Sequence, residues 1–269
     1  MSKSIGVLGC GWLGTPLAKA LMAEGYQVKG TTTTTTKLQA LRDDGIDAYK
    51  VAISAEAITG NINSFLKSLD TLIINIPPNL RKPNGESFVK RISLLTEAIV
   101  KSKVGHVLFV SSTSVYGNVS GDITESTELR PRTESGKQLL AVEQQLMQHK
   151  TFNCTIVRFG GLIGPDRHPV TYLSGKKDLK NGHESVNLIH LNDCILLLKT
   201  ILKNNYWNSI FNGVYQYYPT KKAYYTLEAI KRGIAVPHYQ EVETPNSQKA
   251  IKSDNFYVKS HQLLTTIVS

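Results

Sequence analysis

The chain has 269 residues, of which 41% are hydrophobic and 19% charged, enough to bury a full core as one domain or as one domain with a small cap. Its three cysteines, Cys10, Cys154 and Cys194, stand far apart in apolar stretches, which argues against a disulfide framework and against a metal site. No apolar run approaches the ~20 residues of a spanning helix, so a cytoplasmic protein without membrane contact is expected. The formal charge of +10 is spread along the chain, which disfavours nucleic acid and leaves an anionic small molecule as the expected partner.

The first apolar run, Ser4 to Leu8, predicts a strand, and Thr15 to Glu24 predicts a helix with Pro16 in its first turn. Between them lies Gly9-Cys10-Gly11-Trp12-Leu13-Gly14, the glycine spacing of a dinucleotide-binding turn. The first glycine permits the tight turn, the second lets backbone approach a pyrophosphate, and the third lets helix and strand pack closely. Phosphates would then rest on the amides and the positive end of the helix. Gly9, Gly11, Trp12, Leu13 and Gly14 are therefore expected to bind the cofactor.

A second strand, Gln27 to Thr31, would end in a carboxylate if it accepted the ribose 2′-hydroxyl of NAD. It ends instead in Gly30 and a run of threonines, followed by Lys37 in a helical pattern that reaches Asp43. The hydroxyls of Thr32, Thr33 and Thr34 and the charge of Lys37 suit a 2′-phosphate, although Lys37 can equally be a solvated helix residue. NADP is the expected cofactor, with NAD as the alternative.

Strands predicted at Thr71 to Ile76, His106 to Val110, Thr155 to Phe159 and Ile210 to Val214 alternate with helical patterns at Ser87 to Lys101, Ser135 to Gln148 and Leu191 to Lys203. That alternation predicts an α/β fold, a Rossmann-type doubly wound parallel sheet. Asn75, Ile76 and Pro77 close a strand on the side where such sheets bind ligands, so they are assigned to the cofactor pocket. Residues 1–163 and 186–214 are expected to form the dinucleotide-binding domain. Residues 164–185 and 215–269 are expected to form a small C-terminal substrate lobe.

Around His190, Asn192 or Asp193 reads as a helix cap and not as half of an acid–base pair. Arg167 and His168 follow Gly164-Pro165 in the expected substrate loop, where they and Arg158 offer donors to an anionic group. Tyr215, Tyr217, Tyr218, Tyr224 and Tyr225 can line a ring-binding pocket or pack a cap or a homodimer contact, and the sequence leaves both open.

The segment Val110-Ser111-Ser112-Thr113-Ser114-Val115-Tyr116-Gly117 resembles the extended short-chain dehydrogenase/reductase superfamily, the nucleotide-sugar epimerases and dehydratases. Pro131 to Gly136 is similar to that family's segment around its catalytic Tyr-Gly. Arg158 to Pro165 is similar to its Arg…Gly-Pro strand and loop, and Ile189 to Asp193 to its Ile-His-x-x-Asp turn. The resemblance implies a Tyr as acid or base, a Lys four residues on, and an upstream Ser that orients the substrate oxygen.

The serine position falls on Ser112. Aligning Pro131, Gly136 and Glu143 puts Ser135 at the Tyr position and Leu139 at the Lys position, so the chain resembles the atypical members of the superfamily. A register on Thr133 and Lys137 keeps a hydroxyl–lysine spacing but breaks the match at Gly136 and Glu143. A serine hydroxyl is far less acidic than a phenol near ~10, so Ser135 would need an activating base. Lys137 and Tyr116 are the candidate replacements, with a solvated charge and simple packing as their plainer readings.

Two functions follow. One is an NADP-preferring oxidoreductase or epimerase-like enzyme acting on a sugar-like or nucleotide-linked carbonyl or hydroxyl compound. The other is a dinucleotide-sensing regulatory protein of the same fold. Lys137 or Tyr116 facing the nicotinamide would speak for catalysis, and a wall of Leu139 and other apolar groups against it.

Overall fold

A computed structural model describes residues 3–79, 86–241 and 248–268, so residues 242–247 and 269 of the expected lobe lie outside it, with 1–2 and 80–85. In chain order the first elements are β1 (Ser4–Leu8), α1 (Gly14–Ala23), β2 (Gln27–Thr32), α2 (Thr35–Asp43), β3 (Asp47–Ile53), β4 (Ile58–Gly60), α3 (Ile62–Leu66) and β5 (Thr71–Ile74). Next come α4 (Phe88–Ser102), β6 (His106–Ser112), a 3₁₀ turn (Thr113–Tyr116), β7 (Gly121–Ile123), α5 (Glu134–Met147), β8 (Asn153–Phe159), β9 (Gly161–Ile163) and α6 (Pro169–Leu173). The chain closes with β10 (Leu188–His190), α7 (Leu191–Asn204), β11 (Ile210–Gly213), α8 (Lys221–Lys231), β12 (Lys249–Ile251) and α9 (Asp254–Tyr257).

Eight strands form one sheet in the order β11-β8-β6-β5-β1-β2-β3-β4, parallel throughout except for the antiparallel β3–β4 edge. Alternate residues of each strand feed opposite sides of it, as a two-residue side-chain period requires. Val107 and Phe109 of β6, Leu72 and Ile74 of β5 and Ile156 of β8 join one core with α3, α4 and α5. Leu108, Ile73, Val157 and Ile5 join the other with α1 and α7. Strands buried on both faces read as continuous apolar runs, which is why β1, β5, β6 and β8 are visible in the sequence.

Helices end where the sequence says they should. Gly25 follows α1 at φ +86° and Gly45 follows α2 at φ +81°, left-handed positions that suit glycine after a last turn. The caps of α7 differ from the expected ones. His190 is the N-cap and its Nδ1 accepts from Asn192 N, whereas the buried Asp193 carboxylate accepts from the backbone of Leu264 and Thr265 and ties down the chain's end.

A third, smaller core joins Ile163, Val170, Val186, Leu188, Tyr224, Tyr225, Ala229 and Ile267 over the sheet's carboxyl edge. Of the residues after α8, Ile267 belongs to this core, whereas those around β12 and α9 join the other two. Ile251 packs into the first core and Phe256 and Leu263 into the second, and β12 pairs in parallel with β7. Among the described residues no helix is long and apolar enough to cross a membrane.

Candidate functional site

The order of strands reverses direction between β1 and β5, and a doubly wound sheet leaves its ligand crevice at such a point. Gly9 leaves β1 at φ +102°, and a Cβ there would lie 2.5 Å from Asn75 O. The Asn75 amide closes the same contact by donating to Gly9 O at 3.0 Å, and Gly9 N donates to the Thr31 hydroxyl at 2.9 Å. A Cβ on Gly14 would lie 2.2 Å from Gly9 O, so the third glycine sets the distance between helix and loop. Gly11 is different in kind: a Cβ there meets nothing within 4 Å, because its Cα faces the open crevice.

One cavity of about 260 Å³ runs from this loop over the end of β2, lined by Gly9, Gly11, Thr32, Thr33, Thr34 and Lys37 with Asn75, Ile76 and Pro77. Arg91 of α4 joins its wall, held by hydrogen bonds from its guanidinium to the carbonyls of Ile53 and Pro78. Burial pushes the Cys10 thiol in the cavity's floor up to about 11, opposed by a hydrogen bond with the Thr31 backbone and by the charge of Lys37. A second cavity of about 370 Å³ continues past Gly11, Trp12 and Leu13 to Val110, Ser111, Ser112, Leu139, Leu162 and Arg167.

Among the described residues, neither cavity wall carries an Asp or Glu, while Lys37, Arg91 and Arg167 all reach in. That donor set, with the open face at Gly11 and no side chain capping the start of α1, fits a polyanionic dinucleotide lying from β2 to β6. Arg91 could not be found from the sequence, since a basic residue on an amphipathic helix carries no signal of its own.

The third cavity, about 520 Å³, meets the second at Ser112. Its wall combines Ser114, Asn187, Glu184, Lys221, Tyr225 and Lys249, drawn from the 3₁₀ turn, the lobe, α8 and β12. Ser112 Oγ accepts from Ser114 N at 3.2 Å, which leaves the serine's own proton to donate into the cavity. Lys249 Nζ donates to Gly117 O at 2.5 Å, and burial lowers its pKa, reinforced by Lys221 and opposed by Glu184. Burial pushes the Tyr225 phenol up.

Three of the four catalytic candidates from the sequence lie outside the lining of these cavities. Tyr116 is fully buried, its hydroxyl donating to Asn212 Oδ1 at 2.8 Å and accepting from Arg158 at 2.9 Å. Lys137 is exposed on α5, where the half-turn offset from Leu139 sends it to solvent. Ser135 is half-buried in the first turn of α5, outside the residues that line the cavities. Leu139, at the position where the resembled family carries its lysine, lines the second cavity.

Arg158, expected to offer donors to an anionic group, is instead sealed against Glu143 at 2.7 Å. Of the clustered tyrosines, Tyr224 and Tyr218 pack and hydrogen-bond to Ile267 O and Ile251 O, and Tyr225 reaches the third cavity.

Comparison with known proteins agrees with this architecture. The model of the NAD dependent epimerase/dehydratase family matches residues 5–206. Protein YeeZ of Escherichia coli (strain K12) is 32% identical over 239 residues, which cover 88% of this chain and 87% of that protein. A structure of UDP-glucose 4-epimerase with UDP-glucose, from Thermotoga maritima, aligns with a TM-score of 0.78 at 14% identity over 98% of this chain and 94% of that one. MoeE5 in complex with UDP-glucuronic acid and NAD aligns with a TM-score of 0.76 at 18% identity over 98% and 95% of the two chains. At such identities the two structures establish a shared fold.

Proposed function

Since the chain belongs to the NAD dependent epimerase/dehydratase family, we propose that it is an epimerase-like oxidoreductase that uses a nicotinamide dinucleotide on a hydroxyl or carbonyl carbon of a sugar-like or nucleotide-linked compound. The observation that carries this reading is the continuous crevice, cationic and free of Asp and Glu along the glycine loop among the described residues, that opens at Ser112 into a polar chamber. When bound, the dinucleotide supplies hydride transfer at its nicotinamide ring.

The chain's own residues divide the remaining work. Gly9, Gly11, Trp12, Leu13 and Gly14 would hold the pyrophosphate, and Asn75, Ile76 and Pro77 would border the nicotinamide ribose. Thr32, Thr33, Thr34, Lys37 and Arg91 surround the far end, and an added 2′-phosphate suits them better than a bare ribose, so NADP is the preferred partner. Ser112 would donate a hydrogen bond to the substrate oxygen and fix its direction. Ser135 cannot replace a phenol, and Lys249, whose lowered pKa eases proton release, is the candidate for proton exchange with the chamber. The small core around Tyr224, with residues 164–185 and those after Tyr215, would act as the substrate lobe.

Leu139 favours a second reading, a dinucleotide sensor, because an apolar side chain holds the place of the family's lysine. Turnover separates the two. Purified protein with the preferred dinucleotide is offered UDP-linked sugars, and reduced nicotinamide and epimer products are followed. Conversion lost in Ser112→Ala, with cofactor affinity unchanged, supports the enzyme. Tight cofactor binding with no conversion of any compound supports the sensor.

A further inference from the structure

Arg167 belongs by sequence to the loop that leads into the lobe, yet its side chain lies against the glycine loop. Its guanidinium carbon sits 5.0 Å from the centroid of the Trp12 ring, and both side chains line the second cavity beside Gly11 and Leu13. Two features hold it there. Gly164 N donates to Arg167 O at 2.9 Å and Arg167 N donates back to Gly164 O at 3.2 Å, a tight turn that fixes where the side chain leaves the backbone. A Cβ on Gly164 would lie 2.7 Å from the Trp12 ring, so the loop rests directly on the indole.

An exposed arginine ordinarily keeps its rotameric freedom, and stacking on an indole removes much of it before any ligand arrives. A guanidinium over a ring can still offer its N–H groups to an anion, and among the described residues no hydrogen bond or ion pair of the Arg167 side chain competes for them. No Asp or Glu lines this cavity among the described residues. The start of α1 has no acidic residue in its first turn and no side-chain cap.

We propose that Arg167, seated over the Trp12 ring, is the cation that pairs with the cofactor's pyrophosphate, so that the lobe loop and the glycine loop close on the dinucleotide together. This rests on the dinucleotide reading above. It gives Arg167 a positioning task for the cofactor in place of one for the substrate, and it makes Trp12 a reporter of occupancy.

The test compares ligands with and without a pyrophosphate by calorimetric titration of the full chain. Arg167→Met keeps the turn's backbone hydrogen bonds, and the exposed side chain leaves folding intact. It should weaken NADPH and ADP-ribose about tenfold, with Arg167→Lys recovering part of the loss. Adenosine 2′-monophosphate, which has no pyrophosphate, should bind both proteins within a factor of about two. The Trp12 fluorescence change on NADPH addition should shrink in Arg167→Met at saturating ligand.

Unchanged NADPH affinity in Arg167→Met, while Gly11→Val abolishes binding, would overturn the Arg167 assignment and leave the cofactor reading standing. An equal loss for adenosine 2′-monophosphate would also overturn it, since the effect would then not follow the pyrophosphate. Failure of the native chain to bind any dinucleotide would overturn both.

Discussion

Arg158 and Glu143 meet inside the protein as a forked ion pair, with Arg158 Nη2 donating to Glu143 Oε2 at 2.7 Å and Arg158 Nε at 3.1 Å. Ser111 Oγ donates to the same carboxylate at 2.5 Å, and Tyr116 takes the remaining guanidinium edge. The pair joins β8 to α5, and the Ser111 contact ties β6, the strand that carries Ser112, to the same carboxylate on the helix that carries Leu139. Burying these charges is tolerable because each side-chain nitrogen and oxygen of the group has a hydrogen-bond partner.

Removing one partner should therefore cost far more than removing both. Arg158→Met leaves Glu143 charged in an apolar setting and should lower stability by about 3–5 kcal/mol, whereas Arg158→Met with Glu143→Leu should recover most of that loss. Urea denaturation of the two variants beside the native chain measures it. Equal losses in the single and double variants would mean that the pair is not the strut described here.

The glycines should separate structural from ligand roles. Gly14→Ala drives a Cβ to within 2.2 Å of Gly9 O and should lower the melting temperature by several degrees. Gly11→Ala meets nothing within 4 Å and should melt with the native chain. Thermal scans without ligand distinguish the two, and identical melting of both variants would contradict the packing at Gly14.

Cofactor preference should follow the end of β2. Lys37→Met, and more so Lys37→Met with Arg91→Met, should weaken NADPH about tenfold per lost cation and leave NADH nearly unchanged. An equal effect on both cofactors would show that these cations do not recognise a 2′-phosphate.

The lobe should carry an acid-sensitive lock. His168 Nδ1 accepts from Val170 N, so the neutral ring's proton lies on Nε2 and faces Tyr224 Oη at 3.0 Å. Tyr224 donates in turn to Ile267 O. Burial, reinforced by Arg232 and opposed by Glu228, lowers the His168 pKa to about 4. The unfolded chain therefore takes up this proton near pH 6.5 and the folded chain only near about 4, so stability is full above pH 6.5 and falls between the two values. The loss amounts to about 3 kcal/mol. His168→Asn can still accept from Val170 N and cannot titrate, so its urea midpoint should fall less over that window. Parallel curves for the two proteins would rule the lock out.

How much of this was legible in the sequence depends on chain distance. The glycine loop, β1 and α1 are neighbours in sequence, and their pattern alone revealed the crevice floor. Strand β3 carries no apolar run because Asp47 and Lys50 face out near the sheet edge, leaving mainly Ala48 and Val51 buried. Helix α8 was hidden because its inward residues, Tyr224, Tyr225 and Ala229, read as an aromatic cluster, although Thr220 caps its start. The motif through Tyr116 carries the family resemblance, but whether its phenol faces a ligand or the core is decided by Arg158, on another strand. The chamber beyond Ser112 was least legible, since Lys221 and Lys249 reach it from α8 and β12 and no local spacing connects them.

The central claim, a dinucleotide seated on the glycine loop, is tested most directly by calorimetric titration of the native chain and Gly11→Val with NADPH, NADP, NADH and NAD. Tight binding of the NADP pair to the native chain, lost in a Gly11→Val protein that still folds, is the predicted result. Absence of binding to any of the four, or binding that survives a valine projecting into the crevice, would contradict the account.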